Sequence, residues 1–157
     1  MFLHFTDQVA VAVGLAPSAD VFSGTVSSDV FSLENFSKAV LLINKAAGAT
    51  GTSLITIQAC DDLAGNNPVP IPFNVTLQDA DGQNRGARTE VAATGFTTAA
   101  AANKVYAIEL QADHLPEGKP CFFLKGVEQV DSPIVGDVTA LFFGGRYQGA
   151  DLKNPTL

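Results

Sequence analysis

Tryptophan is absent from this chain, and tyrosine, methionine, histidine and cysteine occur at most twice each. Each shortage removes a class of function. Carbohydrate platforms rest on exposed Trp and Tyr, and Tyr106 and Tyr147 alone make a carbohydrate-binding β-sandwich a minor alternative. Cys60 and Cys121 lie far apart and cannot build a disulfide framework, so buried free thiols are expected, with a bridge only if their strands prove to be neighbours. His4 and His114 stand in no metal-binding spacing, and a zinc site needs three or four ligands; no metal site is expected.

Charge is scarce as well. Ionisable Asp, Glu, Lys and Arg make up 16% of the chain, against roughly one-quarter in an ordinary soluble domain. Nine cations face sixteen acids, a net charge of −7. The cations, from Lys38 to Lys153, are scattered, whereas a nucleic-acid grip needs them clustered to displace counterions from phosphate. No nucleic-acid partner is expected. No apolar run approaches the roughly 20 residues of a membrane-spanning helix, and the segment Met1 to Asp7 has no basic leader. Synthesis in the cytoplasm and no membrane partner are therefore the expectation.

Catalytic signatures are missing too. There is no G-x-S-x-G elbow, no Walker loop and no G-x-G-x-x-G after a strand. Asp61 and Asp62 form an acidic pair, but within D-D-L-A-G-N-N-P they read as turn formers. Asp79-Ala80-Asp81-Gly82 suggests calcium, with Glu90 at the bidentate position; Asn84 replaces the required glycine, and Arg85 and Arg88 bring positive charge, so a solvated hairpin loop is the better reading. Two Asn-x-Ser/Thr sequons carry no meaning without a secretory signal. The expectation is no catalytic residues, no cofactor and no enzyme.

What is present is alternation. Residues 53–60 (S-L-I-T-I-Q-A-C) place Leu54, Thr56, Gln58 and Cys60 on one face and Ile55, Ile57 and Ala59 on the other, as a strand requires. K-V-Y-A-I-E-L at 104–110 alternates likewise, and K-A-V-L-L-I-N at 38–44 is a strongly apolar run. Ile71, Phe73, Val75 and Leu77 share a face in one strand that begins at an edge or bulge, because Pro72 lacks an N–H. Residues 120–130 and 134–143 close the domain. The Ala-rich stretch 97–103 is the one place where helix propensity competes, and residues 113–116 suit a single helical or 3₁₀ turn. Gly and Pro punctuate these segments. They predict an all-β protein, an antiparallel β-sandwich or partly closed barrel of about eight strands. Residues 1–20 are expected to be an N-terminal arm, 21–148 the sandwich and 149–157 a C-terminal tail, both ends flexible unless tied down.

The closing F-F-G-G-R-Y-Q-G is the most pointed motif. Gly144 and Gly145 permit an unusual turn, and Phe143, Arg146 and Tyr147 are residue types enriched at interfaces. These five residues are the candidate interface.

From about residue 28 the order of S-L-E-N-F, K-A-V-L-L-I-N, S-L-I-T-I-Q-A-C-D-D, P-I-P-F-N-V, G-F-T-T, K-V-Y-A-I-E-L, A-D-H-L-P and R-Y resembles a group of small virion proteins of tailed bacteriophages. These are often encoded near the major capsid protein. Members usually carry a more basic segment after the P-F strand, where this chain has N-V-T-L-Q-D-A-D-G. The resemblance implies a capsid decoration (cement) protein on the virion surface, bound to the major capsid protein and to copies of itself, with a trimer expected. A tail-tube, head–tail connector or fibre-anchoring component is the alternative.

Overall fold

The computed structural model describes residues 4–79, 85–147 and 152–156. It is nearly all β. A single-turn helix α1 (Phe5–Gln8) leads into β1 (Ala10–Ser18), β2 (Thr25–Ser27), β3 (Phe31–Ser32), β4 (Lys38–Lys45), β5 (Thr52–Cys60) and β6 (Val69–Ile71). The chain continues through β7 (Phe73–Asp79), β8 (Thr89–Val91), β9 (Phe96–Thr97), β10 (Lys104–Gln111), β11 (Cys121–Val130) and β12 (Gly136–Phe143). One antiparallel sheet runs β1-β12-β4-β10-β7-β8 and the other β2-β11-β5-β6, with β3 on β11 and β9 on β5. Two sheets facing each other make a sandwich, as the alternation predicts. The strand count exceeds the expected eight because short strands of two or three residues fill the margins.

The inward parity of each long strand is sealed. Ala39, Leu41 and Ile43 of β4, Ile108 of β10, Val138, Ala140 and Phe142 of β12 face Ile55, Ile57 and Ala59 of β5 and Phe122 and Leu124 of β11, all fully buried. Phe142 lies at the centre of an aromatic group, with ring centroids 5.3 Å from Phe31, 5.3 Å from Phe36 and 6.4 Å from Phe122. Tilted rings at such spacing add to burial.

Two sequence expectations change, and two left open are settled. Residues 71–77 are not one strand: Ile71 ends β6 in one sheet and Phe73 begins β7 in the other. Pro72 has no N–H to continue a ladder and a fixed φ, so the chain crosses between sheets there. The stretch assigned to an N-terminal arm supplies β1, because V-A-V-A-V alternates well enough to pair with β12 from Ala10 opposite Phe142 to Ser18 opposite Gly136. The tail is tied down as well: Pro155 is buried and accepts a hydrogen bond from the Ser32 N–H at 2.8 Å, while Leu152 packs on the core. The Ala-rich 98–103 segment forms bends without a helix, whereas Ala112–His114 is the expected 3₁₀ turn.

A buried cation closes one end. Lys45 ends β4 on the inward parity, 3% exposed, and its ammonium donates to the carbonyls of Gly51 at 2.8 Å and Ala99 at 2.7 Å. Burial lowers its pKa. The two carbonyls supply the hydrogen bonds that a buried charge requires.

Cys60 and Cys121 do prove to be neighbours, directly opposite on β5 and β11, and both are buried free thiols. Burial, then the nearby Cys121 and Asp62, push the Cys60 thiol from 9.0 up to about 11. Such a thiol is inert, since the thiolate is the nucleophile.

Two outcomes follow from this packing. Phe142→Ala should cost about 3–5 kcal/mol in chemical denaturation, the range for emptying a core aromatic site. The folded protein holds Cys60 protonated while the unfolded chain ionises it, so stability should fall as pH rises from 9.0 toward about 11. Cys60→Ala should lessen that alkaline loss in pH-dependent urea melts.

Candidate interaction surfaces

The five residues singled out in sequence lie together where β12 ends. Gly144 has φ 63°, the left-handed region that favours glycine, and a side chain there would collide with the Ser37 hydroxyl. Ser37 explains the tight turn, since its N–H donates to the Phe143 carbonyl at 3.1 Å and its hydroxyl to the same oxygen at 3.3 Å. Gly145 passes close to Leu152 and Phe36. The Arg146 N–H donates to Asn35 at 2.9 Å, which leaves the guanidinium exposed at the rim of a shallow hollow shared with Leu33, Glu34, Leu115 and Lys119. Tyr147 is 47% exposed, with the Lys153 ammonium 5.0 Å from its ring centroid. That separation suits a cation–π contact. The segment is therefore a braced turn presenting an arginine and a tyrosine.

A second surface escaped sequence reasoning. In the β1-containing sheet, registers place Val11 opposite Leu141, Leu141 opposite Val40, and Val40 opposite Glu109. A parallel row runs Val13, Thr139, Leu42, Ala107. All have the outward parity; Val11 and Val13 are 54% and 56% exposed and the rest partly so. The face a solvated antiparallel sheet normally makes polar is thus apolar across β1, β12 and β4. It changes character at a 2.6 Å ion pair between Lys38 and Glu109. Lys38 hydrogen bonding holds the Glu109 carboxyl below the usual range. Asp137 bounds another side, accepting from Asn44 at 3.1 Å and from Thr139 at 2.9 Å. The signal in the sequence was that β4 is apolar at both parities, Val40 and Leu42 as well as Ala39, Leu41 and Ile43.

The other candidates have structural work. Asp62 accepts from the backbone of Ala64 and Asn66 and from the Asn66 side chain, and Asp61 from Lys119 at 2.6 Å and Asn67 at 2.7 Å. Those hydrogen bonds lower both carboxyl pKa values. This is the chemistry of a turn, as expected, and no poised proton donor is created. The calcium-like segment lies mainly at 80–84, outside the described residues. His4 is exposed at the start of α1, and His114 is exposed 4.0 Å from Asp113. Among the described residues no three His, Cys, Asp or Glu side chains gather as a metal site.

No protein-family model matches the chain, and no curated protein matches it. Among solved structures it is similar to the crystal structure of SPBc2 prophage-derived protein YomS at 12% identity, with a TM-score of 0.43, over 87% of this chain and 93% of that one. So distant a likeness carries no functional weight.

Gly144→Ala should lower stability by about 1–3 kcal/mol, combining left-handed strain with displacement of Ser37. Differential scanning calorimetry against a Gly118→Ala control separates the two causes: Gly118 also has positive φ, 78°, but nothing within 4 Å of an added Cβ. The difference between the variants reads the Ser37 collision.

Proposed function

We propose that this chain is a structural protein of a tailed-bacteriophage virion, a decoration protein that docks on the outer face of the major capsid protein lattice and stabilises the head. The observation carrying this reading is the apolar outward face across β1, β12 and β4, built from Val11, Val13, Leu141, Val40 and Leu42. Apolar residues gathered on the outward face of an antiparallel sheet, where polar ones are usual, suit a surface that another protein covers. The sequence resemblance supplies the identity of that partner class. The braced Arg146–Tyr147 turn adds a second contact of the kind found at interface centres, and the low charge of the chain suits close packing among protein neighbours. The role rests on docking and needs no catalytic group or cofactor. Weak single contacts are multiplied when many copies sit on a repeating lattice.

The test is incorporation into particles. Wild-type protein should appear on purified heads in many copies and be absent from isolated tails. Val40→Asp combined with Leu42→Asp, and separately Arg146→Ala combined with Tyr147→Ala, should reduce copies per head at least about tenfold while the free protein keeps its melting profile. Full incorporation of both variants, or a few copies confined to the tail, overturns the decoration reading.

A further inference from the structure

We infer that Cys60 and Cys121 are the site of a reversible crosslink between β5 and β11: small disulfides close it in the folded chain, and small thiols reopen it. The inference concerns this chain alone and stands apart from capsid docking.

Position is the first ground. The two cysteines lie directly opposite one another. Both have the outward parity of their sheet, since Ala59 and Phe122 beside them point into the core. Their neighbours of that parity, Gln58 and Phe123, are half-buried, whereas Cys60 is 0% and Cys121 4% exposed. A roof accounts for the difference. The Cys60 thiol donates to the Asp62 carbonyl at 3.4 Å, and a Cβ on Gly65 would touch Val30 and Phe123. The turn from Asp61 to Asn67 therefore lies back across the outer face. Lys119 pins it, donating to the Asp61 carboxylate at 2.6 Å and the Asn67 carbonyl at 2.7 Å. The thiols are shut off by a surface turn and not by the core, so lifting that turn exposes them while both sheets stay packed.

Backbone pattern is the second ground. Ser28 occupies both backbone groups of Leu124, donating its N–H to the carbonyl at 2.9 Å and accepting the Leu124 N–H at its hydroxyl at 3.0 Å. The Leu33 N–H takes the Pro120 carbonyl at 3.0 Å. Even-numbered residues of β11 thus turn their backbone away from β5, and Cys121 turns toward it. On β5 the Thr98 N–H donates to the Ser53 carbonyl at 2.9 Å, which leaves even-numbered Cys60 facing β11. The cysteines are accordingly a hydrogen-bonded pair, with Cα atoms about 5.5 Å apart. That separation is inside the roughly 4.4–6.8 Å spanned by disulfides. Cβ atoms at such a pair stand near the upper end of about 4.5–5.5 Å, beyond the roughly 3.5–4.5 Å of a relaxed bridge, so the strands must draw together. Cys60 ends β5 and Cys121 begins β11, so only the last rung of the ladder moves. A bridge made this way is strained, and strained bridges are the readily reduced ones.

Closure is thiol–disulfide exchange. With the turn lifted, Cys121 loses its proton to solvent, and its thiolate attacks one sulfur of glutathione disulfide and expels a glutathione thiolate. Cys60 then loses its proton and attacks the Cys121 sulfur of the mixed disulfide, expelling the second glutathione thiolate. The protein thiols give up two electrons and two protons; glutathione disulfide takes them and leaves as two glutathione thiols. Burial raises both cysteine pKa values, so the pair stays unreactive while the turn is closed. A reducing cytoplasm keeps such a pair open, and oxidising surroundings close it.

The experiment uses the free full-length chain, folded, in glutathione buffers running from reduced to oxidised, so its failure is distinguishable from failure of capsid docking. Alkylation and mass spectrometry should show both thiols lost together in a monomer lighter by two hydrogens. Excess reduced glutathione should return both. Lys119→Met, which unpins the turn, should speed closure at least about tenfold with the melting profile retained. Asp61→Asn, which weakens the same pin, should speed it by less. Two alkylatable thiols surviving in the oxidised buffer, closure only in denaturant, a bridge that excess reduced glutathione leaves shut, disulfide-linked dimers, or unchanged rates in both turn variants would overturn the inference.

Discussion

Everything in this molecule depends on which parity of β4 faces inward. Both parities are apolar in the middle, so hydrophobicity alone does not choose; the ends do. With Ala39, Leu41 and Ile43 inside, Lys38 reaches Glu109 on the outer surface and Asn44 reaches Asp137. A slip of one residue would turn Lys38 and Asn44 into the interior, where an unpaired charge is prohibitively costly. Lys45 is then forced inward, and the loop carbonyls of Gly51 and Ala99 make that tolerable. With β4 fixed, β12 and β10 take their registers on either side, and the phenylalanines around Phe142 fill the space between the sheets.

Much of this was written locally. Period-two alternation in β5 and β10 announced strands and their inner faces, and the density of Asp, Asn, Gly and Pro at 61–68 announced a turn. Long-range pairing was not so written. Cys60 and Cys121 are opposite one another because β11 lies beside β5, a fact of sheet order that no local pattern carries. The same holds for β1: V-A-V-A-V looks like any short apolar stretch until β12 is there to receive it. Pro72 was legible as an interruption, but only the two sheets reveal that the interruption is a crossing between them.

The surfaces divide in the same way. Phe143 to Tyr147 stood out because two glycines before an arginine and a tyrosine are unusual in composition, and the turn they make is explained by Ser37 directly beneath Gly144. The outward apolar face was hidden, because it is assembled from single residues on three strands that are distant in sequence. Its trace was the second apolar parity of β4. A strand that is greasy on both sides in an antiparallel sheet calls for cover on both sides, and the sandwich supplies only one.

The one-residue passage at Pro72 also has a mechanical meaning. Along that margin the chain itself stitches β6 to β7, so the two layers are bound there covalently. At the opposite margin the chain crosses again, from β1 to β2 through residues 19–24, with the Asp29–Gly14 hydrogen bond and the returning C-terminal segment beside it. The sandwich is therefore laced along both margins, so neither edge of its two layers can part without straining a short covalent crossing.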